Sequence, residues 1–467
     1  MDKNSFICFF FIMFILFSSF MMDNCKPTKK VNIKKRVLQE VDEVPFKKLD
    51  IYYDLVSFYG NIEGHENWEK NKATFKQAMD EVKAILEEYI EIRDNEEQDI
   101  LYDIGSWNIG VFDEEFFGES DNMDLHNFYI FFKVGTLKEE NNIASSKIIE
   151  VDSKGTPKYH IITLNNNIPN IEFPLKFFKT LLLHQLTHLL GFHISEVEDN
   201  FEIGIIKDVN NKYIMTKDNY PRVIDYAKKY FTCEDEDIKI ELEVDKDGNI
   251  HWPSRLLLGE YMTKFNYYEE QVISGFTLAY FEGLDYIKIK KKYTGGLMRF
   301  GKNKGCKFLK STNCAGDEKV SYANEFYLPT NIDANYVNSP EPSCSSGRLS
   351  KTVHKLYHYD TPPATAEYCI NNYSGPSWTN YCPISEYQND NKLENVYEGR
   401  CSNGNNAGNS FCVLNSLTKG DTVINIKAEC LSMSCSERSL SIQLGEEYVV
   451  CPRKGGKIEV DGYYFMS

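Results

Sequence analysis

The chain has 467 residues, enough for two or three domains. At 42% hydrophobic and 14% aromatic it can build a sizeable core, which excludes a mainly disordered protein. Lys and Arg number 52 against 69 Asp and Glu, and a formal charge of −17 repels phosphate backbones, so general nucleic-acid binding is excluded too.

Lys3 precedes the apolar run Phe6–Phe17, followed by Ser18 and Ser19. That order predicts a secretory signal over residues 1–22. Left uncleaved, the same segment is the one expected membrane contact, because no later run reaches the ~20 apolar residues of a membrane span. Residues 23–43 are polar and Lys-rich and read as a short leader or pro-segment. Alternating apolar residues predict a strand over Phe46–Phe58. Phe75, Met79, Val82, Ile85, Leu86 and Ile90 recur at spacings of three and four, which predicts an amphipathic helix over Asn67–Arg93. Two more strands are expected at Phe128–Val134 and, after a Gly155-Thr-Pro turn, at Tyr159–Leu164. A helix opened by Pro174 and closed by Gly191 follows. Residues 234–247 are acidic and read as a solvated face or loop ending in an Asp247-Gly248-Asn249 turn. Glu269–Asp285 is a further expected helix.

Ten of the thirteen cysteines, Cys306 to Cys451, fall in the last third of the chain. That density points to an oxidising compartment and to disulfides formed within a C-terminal module. Beyond residue 300 the chain turns into short segments rich in Cys, Asn, Gly and Ser, and Asn372-Tyr-Ser374 is a glycosylation sequon. The fold class expected is α+β: a sheet-and-helix domain over 44–305, then a disulfide-rich, irregular or β domain over 306–467.

The chemistry concentrates in Leu181-Leu-Leu-His184-Gln185-Leu186-Thr187-His188-Leu189-Leu190-Gly191-Phe192-His193. His184 and His188 stand four apart on one helix, so both rings project to one side, as two ligands of a tetrahedral zinc do. In the zinc-peptidase motif H-E-x-x-H the Glu takes a proton from metal-bound water. Here that position is Gln185, whose carboxamide orients water but accepts no proton at neutral pH. A third ligand eleven residues on, as in many metzincins, falls on Ile194, with His193 one place off. A better candidate is His251 in Gly248-Asn-Ile-His251-Trp252-Pro-Ser-Arg255, followed by Glu260-Tyr-Met262. His354 and His358 repeat the spacing of four without a surrounding carboxylate or Cys pattern. His65, His126 and His160 stand alone.

These segments resemble the leishmanolysin family, metzincins whose third histidine is displaced by an inserted segment. His184, His188, Gly191 and Phe192 match its H-E-x-x-H-A-L-G-F motif. His251, Trp252 and Arg255 match G-S-H-W-x-x-R, and Glu260 with Met262 matches E-x-M. The resemblance spans about residues 44–310 and reaches the Cys-rich tail more loosely. It implies a metzincin-like catalytic domain of twisted sheet plus active-site helix, with Zn2+ held by His184, His188 and His251 above Met262 as the Met-turn residue. It also implies an exported, secreted or cell-surface protein acting on a protein or peptide. The family's latency thiol has its nearest counterpart in Cys25, which is alternatively a disulfide partner. Gln185 divides the functional expectations. Loss of general acid–base catalysis lowers rates by ~10²–10⁴-fold, which points to weak or lost hydrolysis and a pseudoenzyme. The alternatives are a competent metalloendopeptidase with a substitute base such as Glu260, or a non-catalytic adhesion or binding protein.

Overall fold

The computed structural model describes residues 45–55, 62–93, 126–138, 142–152, 155–168, 172–193, 206–207, 212–246, 248–264, 272–290, 298–310, 314, 325–326, 341–346, 348–361, 369, 371–379, 381–386, 401, 410–419, 422–435, 440–444, 447–450, 457–460 and 463–466. These belong to one contact unit, Pro45–Ser467. The expected signal segment, the leader and Cys25 lie outside the described residues.

The chain enters as β1 (Phe46–Lys48) and β2 (Ile51–Asp54) rather than as the single strand expected from Phe46. The break at Asp50 serves two sheets. Asn127 accepts a hydrogen bond from Asp50 N through Oδ1 (2.8 Å), and β1 and β2 then part to different partners. Residues 56–58 of the expected strand lie outside the described residues. Helix α1 (Glu66–Tyr89) follows its apolar spacing, burying Trp68, Phe75, Met79, Val82 and Leu86. It stops short of the expected Arg93, because Ile90-Glu-Ile-Arg alternates with period two and becomes β3 (Ile90–Arg93). That strand pairs with β1 on one side and β12 (Ile287–Ile289) on the other, so tertiary pairing overrides helical continuation.

The main sheet consists of β2, β4 (Phe128–Gly135), β6 (Pro157–Asn165) and β5 (Ala144–Val151), in that spatial order. β2, β4 and β6 run parallel, and β5 closes the edge antiparallel to β6. The first half of β5, Ala-Ser-Ser-Lys, is a weak strand former, and it is extended alongside Ile-Ile-Glu-Val by pairing to β6. Along β4, Phe128, Ile130 and Phe132 join the principal core, whereas Tyr129 and Phe131 are buried outside it, as the two-residue side-chain period requires. Helix α2 (Leu175–Leu189) packs with α1 on the core side. Phe75 of α1 meets Phe178 of α2 and Phe132 of β4 edge-on, at centroid distances of 5.4 and 5.3 Å.

Beyond β7 (Ile206–Lys207), β8 (Tyr213–Met215) and α3 (Pro221–Phe231), the acidic run is more ordered than the solvated loop expected of it. Ile240 and Leu242 are buried, and the backbone makes β9 (Ile240–Glu241) and β10 (Glu243–Val244). β10 forms a hairpin with β11 (Ile250–His251). Of the expected turn, Asp247 lies outside the described residues; Gly248 sits at φ 88°, and Asp245 Oδ1 accepts from Asn249 N at 2.9 Å. Short α4 (Ser254–Leu257) follows. The helix expected over Glu269–Asp285 is confined, among the described residues, to α5 (Gly275–Phe281). Ser274 caps it through Phe276 N, and Val272 is drawn off as extended chain bonded to Gly259 and Tyr261.

Four disulfides are present among the described residues: Cys233–Cys306, Cys314–Cys382, Cys344–Cys412 and Cys401–Cys430. Three of them lie within the C-terminal module, as expected, and the fourth ties that module back to Cys233. Cys306, on α6 (Gly305–Lys310), reaches back to Cys233, because Thr232 leaves α3 in the left-handed conformation and turns Cys233 toward α6. Cys369 is exposed and carries no disulfide. The C-terminal part is β and irregular, as expected. Pro342–Cys344, Lys351–Lys355 and Ile384–Glu386 make one sheet, and the hairpin Ser410–Lys419/Thr422–Cys435 continues into Leu440–Leu444 and Glu447–Val450. No helix among the described residues is long and apolar enough to cross a membrane.

Candidate metal centre

α2 delivers two histidines into the interior because its C-terminal half, from Leu181 to Leu189, is buried at every position but the half-buried Leu183. Its end is set by Gly191. At φ 113° this residue occupies backbone space that side chains avoid, and a Cβ there would lie 2.1 Å from the Tyr286 hydroxyl. The reversal turns the Phe192 carbonyl back to accept from His188 Nδ1 at 2.6 Å. His184 Nδ1 donates to the Tyr261 carbonyl at 2.7 Å. A carbonyl can only accept, so both rings carry their proton on Nδ1 and present bare Nε2 lone pairs.

Those lone pairs face each other and the ring of His251 from β11. His184 Nε2 lies 3.0 Å from His188 Nε2 and 3.3 Å from His251 Nε2, and all three residues are buried. Two bare lone pairs repel at that distance, whereas zinc–nitrogen bonds of about 2.0–2.1 Å in a tetrahedron set nitrogen–nitrogen edges of roughly 3.3 Å. The donor set therefore fits a metal ion, and the three histidines are the group among the described residues that could hold one. Burial pushes His184 down to about 4 against the pull of the Tyr261 carbonyl. Burial, then the neighbouring imidazoles, holds His188 and His251 well below 6.5. All three are neutral near pH 7, the form that ligates.

The 260–262 turn packs beneath the helix. Tyr261 meets Thr187 hydroxyl to hydroxyl at 2.9 Å, and Met262 is fully buried, its carbonyl accepting from Trp252 N at 3.0 Å. Gln185 is buried beside edge strand β5. Its Nε2 reaches the Ala144 carbonyl at 3.5 Å, and its Oε1 has no hydrogen-bond partner among the described residues. Glu243 stands opposite His251 across the β10–β11 pair. It accepts from Ser254 N at 3.0 Å, and burial pushes its carboxyl up to about 7. Glu260 is also pushed up to about 7 by burial, but its carboxylate is engaged by Met262 N, Ser274 and Thr277.

The structure thus brings His184, His188 and His251 together, with Gln185 next to them on α2 and Met262 in the adjoining turn. His193 instead bridges to Asn249 and stands outside the cluster. His354 bonds Ser385 and His358 pairs with Asp360 in the C-terminal strands, so they make no cluster among the described residues. His160 is buried under the sheet, bonded to the Tyr129 carbonyl and stacked on Phe128. Sequence reasoning missed Thr187, Tyr261 and the Phe192 carbonyl. Tyr261 lies between the two recognised residues of E-x-M, but a carbonyl acceptor leaves no signature in sequence.

A mixed α/β fold whose buried helix and hairpin converge three neutral imidazoles defines a candidate metal-binding protein. The sequence profile of the leishmanolysin peptidase family, M8, matches residues 125–466, and the chain belongs to that family. A search of curated proteins finds no match. The family is metal-dependent.

Proposed function

We propose that this protein is an exported, zinc-binding member of the leishmanolysin family in which peptide-bond hydrolysis is weak or lost. One observation carries the reading: three imidazole Nε2 atoms converge beside an amide, Gln185, where the family places its proton-accepting carboxylate. His184, His188 and His251 are the proposed ligands, and Met262 the proposed base of the site. Bound zinc supplies Lewis acidity, polarising a peptide carbonyl and easing ionisation of water. Gln185 donates to Ala144 and leaves Oε1 as an acceptor, so it can orient a water molecule without taking its proton. Glu260 is a poor substitute base, since it is fully buried and accepts from Met262, Ser274 and Thr277. The disulfides support export. The proposed ligand of the cleft is a protein or peptide, held rather than cut.

Restoring the base tests this. Gln185→Glu replaces one group by another of nearly equal volume. It should raise cleavage of an unstructured protein such as casein by at least ~10²-fold over the parent. A chelator, or added His184→Ala, should abolish the gain. Equal, chelator-sensitive activity in parent and variant would make this a working peptidase. No activity in either, with zinc bound, would favour a purely binding protein.

A further inference from the structure

Glu260 is fully buried, and its carboxylate collects four donors from two segments, its own turn and the start of α5. Met262 N donates to Oε2 at 2.5 Å. Ser274 N (3.3 Å), Ser274 Oγ (3.0 Å) and Thr277 Oγ1 (2.6 Å) donate to Oε1. Having given its proton to Glu260, the Thr277 hydroxyl accepts from the indole Nε1 of Trp252 at 2.8 Å. Trp252 follows His251 directly, and its backbone N is bonded to the Met262 carbonyl.

Both arms of this network end on the histidine cluster. Through Met262 N the carboxylate shapes the 260–262 turn. That turn offers the Tyr261 carbonyl to His184 Nδ1 at 2.7 Å and the Tyr261 hydroxyl to Thr187 at 2.9 Å. Through Thr277 and Trp252 it reaches the backbone that carries His251. A buried acid is costly to keep unless its lone pairs are satisfied, and an apolar residue of similar volume would fill the space without that cost. Apolar filling could not pin a turn, a strand end and a helix start to one point. Outer-shell groups of this kind set ring orientation and tautomer in metal sites.

We infer that Glu260 is a positioning residue of the metal centre, holding the Tyr261 carbonyl on His184 and Trp252 beside His251 so that the Nε2 atoms converge. The inference rests on the proposed metal-centre reading. It is tested on the full chain loaded with cobalt(II), whose visible absorption reports ligand geometry. Glu260→Gln turns one acceptor into an amide donor facing Met262 N or the hydroxyls. It should weaken cobalt(II) binding by about 10–100-fold and change the visible band, with far-UV circular dichroism retained. An unchanged band and affinity, with only a lower melting temperature, would reduce Glu260 to scaffold and overturn the inference.

Should Glu260→Gln fail to fold, Thr277 decides. Thr277→Ser keeps the bridging hydroxyl and should keep the parent band, whereas Thr277→Val removes it and should shift the band. A Val variant indistinguishable from parent and Ser overturns the inference. A parent chain that binds neither cobalt nor zinc removes the metal-centre reading and this inference with it. A parent that binds, with variants unmoved, removes this inference alone.

Discussion

His184 and His188 reach the candidate site from consecutive turns of one buried helix, whereas His251 arrives 67 residues after His184 on a two-strand hairpin. The helical pair is related by local geometry, and each ring has its Nδ1 proton held by a carbonyl. His251 Nδ1 has no hydrogen-bond partner among the described residues. Its placement depends on the β10–β11 pairing and on Trp252. Periodicity brings the helical pair to one side and leaves only the ring orientation to carbonyl partners, while a ligand delivered by a hairpin needs the surrounding network for its position as well.

The comparison can be broken most sharply at the hairpin. His251→Ala should remove most of the metal, measured as zinc per chain on the purified protein. Full zinc retention would mean that the helix pair suffices with another third ligand, His193 being the next to test. On the helix side the sensitive position is Gly191. Gly191→Ala must adopt φ near +113° and displace the Tyr286 hydroxyl. It should cost about 1–3 kcal/mol in denaturant unfolding. It should also loosen His188, whose carbonyl partner lies one residue on. Unchanged stability would show that the helix end tolerates another exit.

Thr187→Val deletes the hydroxyl that meets Tyr261 inside the protein, one of two direct ties between helix and turn. It should destabilise by about 1–3 kcal/mol, as loss of one buried partner does. A neutral result would leave the His184–Tyr261 bond to hold helix and turn together.

The smallest effect is a pH slope in the metal-free protein. His184 is depressed from 6.5 to about 4 by burial, so its contribution is full above 6.5 and lost as pH falls through 4. Glu243 and Glu260, raised from 4.5 to about 7, act in the opposite sense: full below 4.5, lost as pH rises through 7. In urea midpoints taken from pH 4 to 8 the two contributions therefore oppose each other between 4.5 and 6.5, and only the carboxyl loss remains above 6.5. Replacing His184 by Ala removes one of the contributions that His188 and His251 share on the acid side, so the midpoint should fall less steeply toward pH 4, and an unaltered acid limb would refute the depression of His184 by burial.

The sequence alone determined what repeats locally. The apolar spacing of α1, the parallel strands Phe128–Gly135 and Pro157–Asn165, and the helix from Pro174 to Gly191 are all legible in it, because a side chain's face follows from its position in a 3.6- or 2-residue period. The ligand candidates were legible too, since His-x-x-x-His and the Trp-flanked His251 carry residue types that chemistry requires. Only the tertiary structure decided where Ile90–Arg93 left the helix, that Ala144–Val151 became an edge strand, and that Cys306 bonded Cys233. It alone decided that Glu260 bonds Met262, Ser274 and Thr277 instead of serving as a base, and that the Tyr261 and Phe192 carbonyls set the histidine tautomers. Every residue has a carbonyl, and strand partners lie tens of residues apart, so neither is encoded at any one position. Both are settled when burial forces each polar group to find its partner.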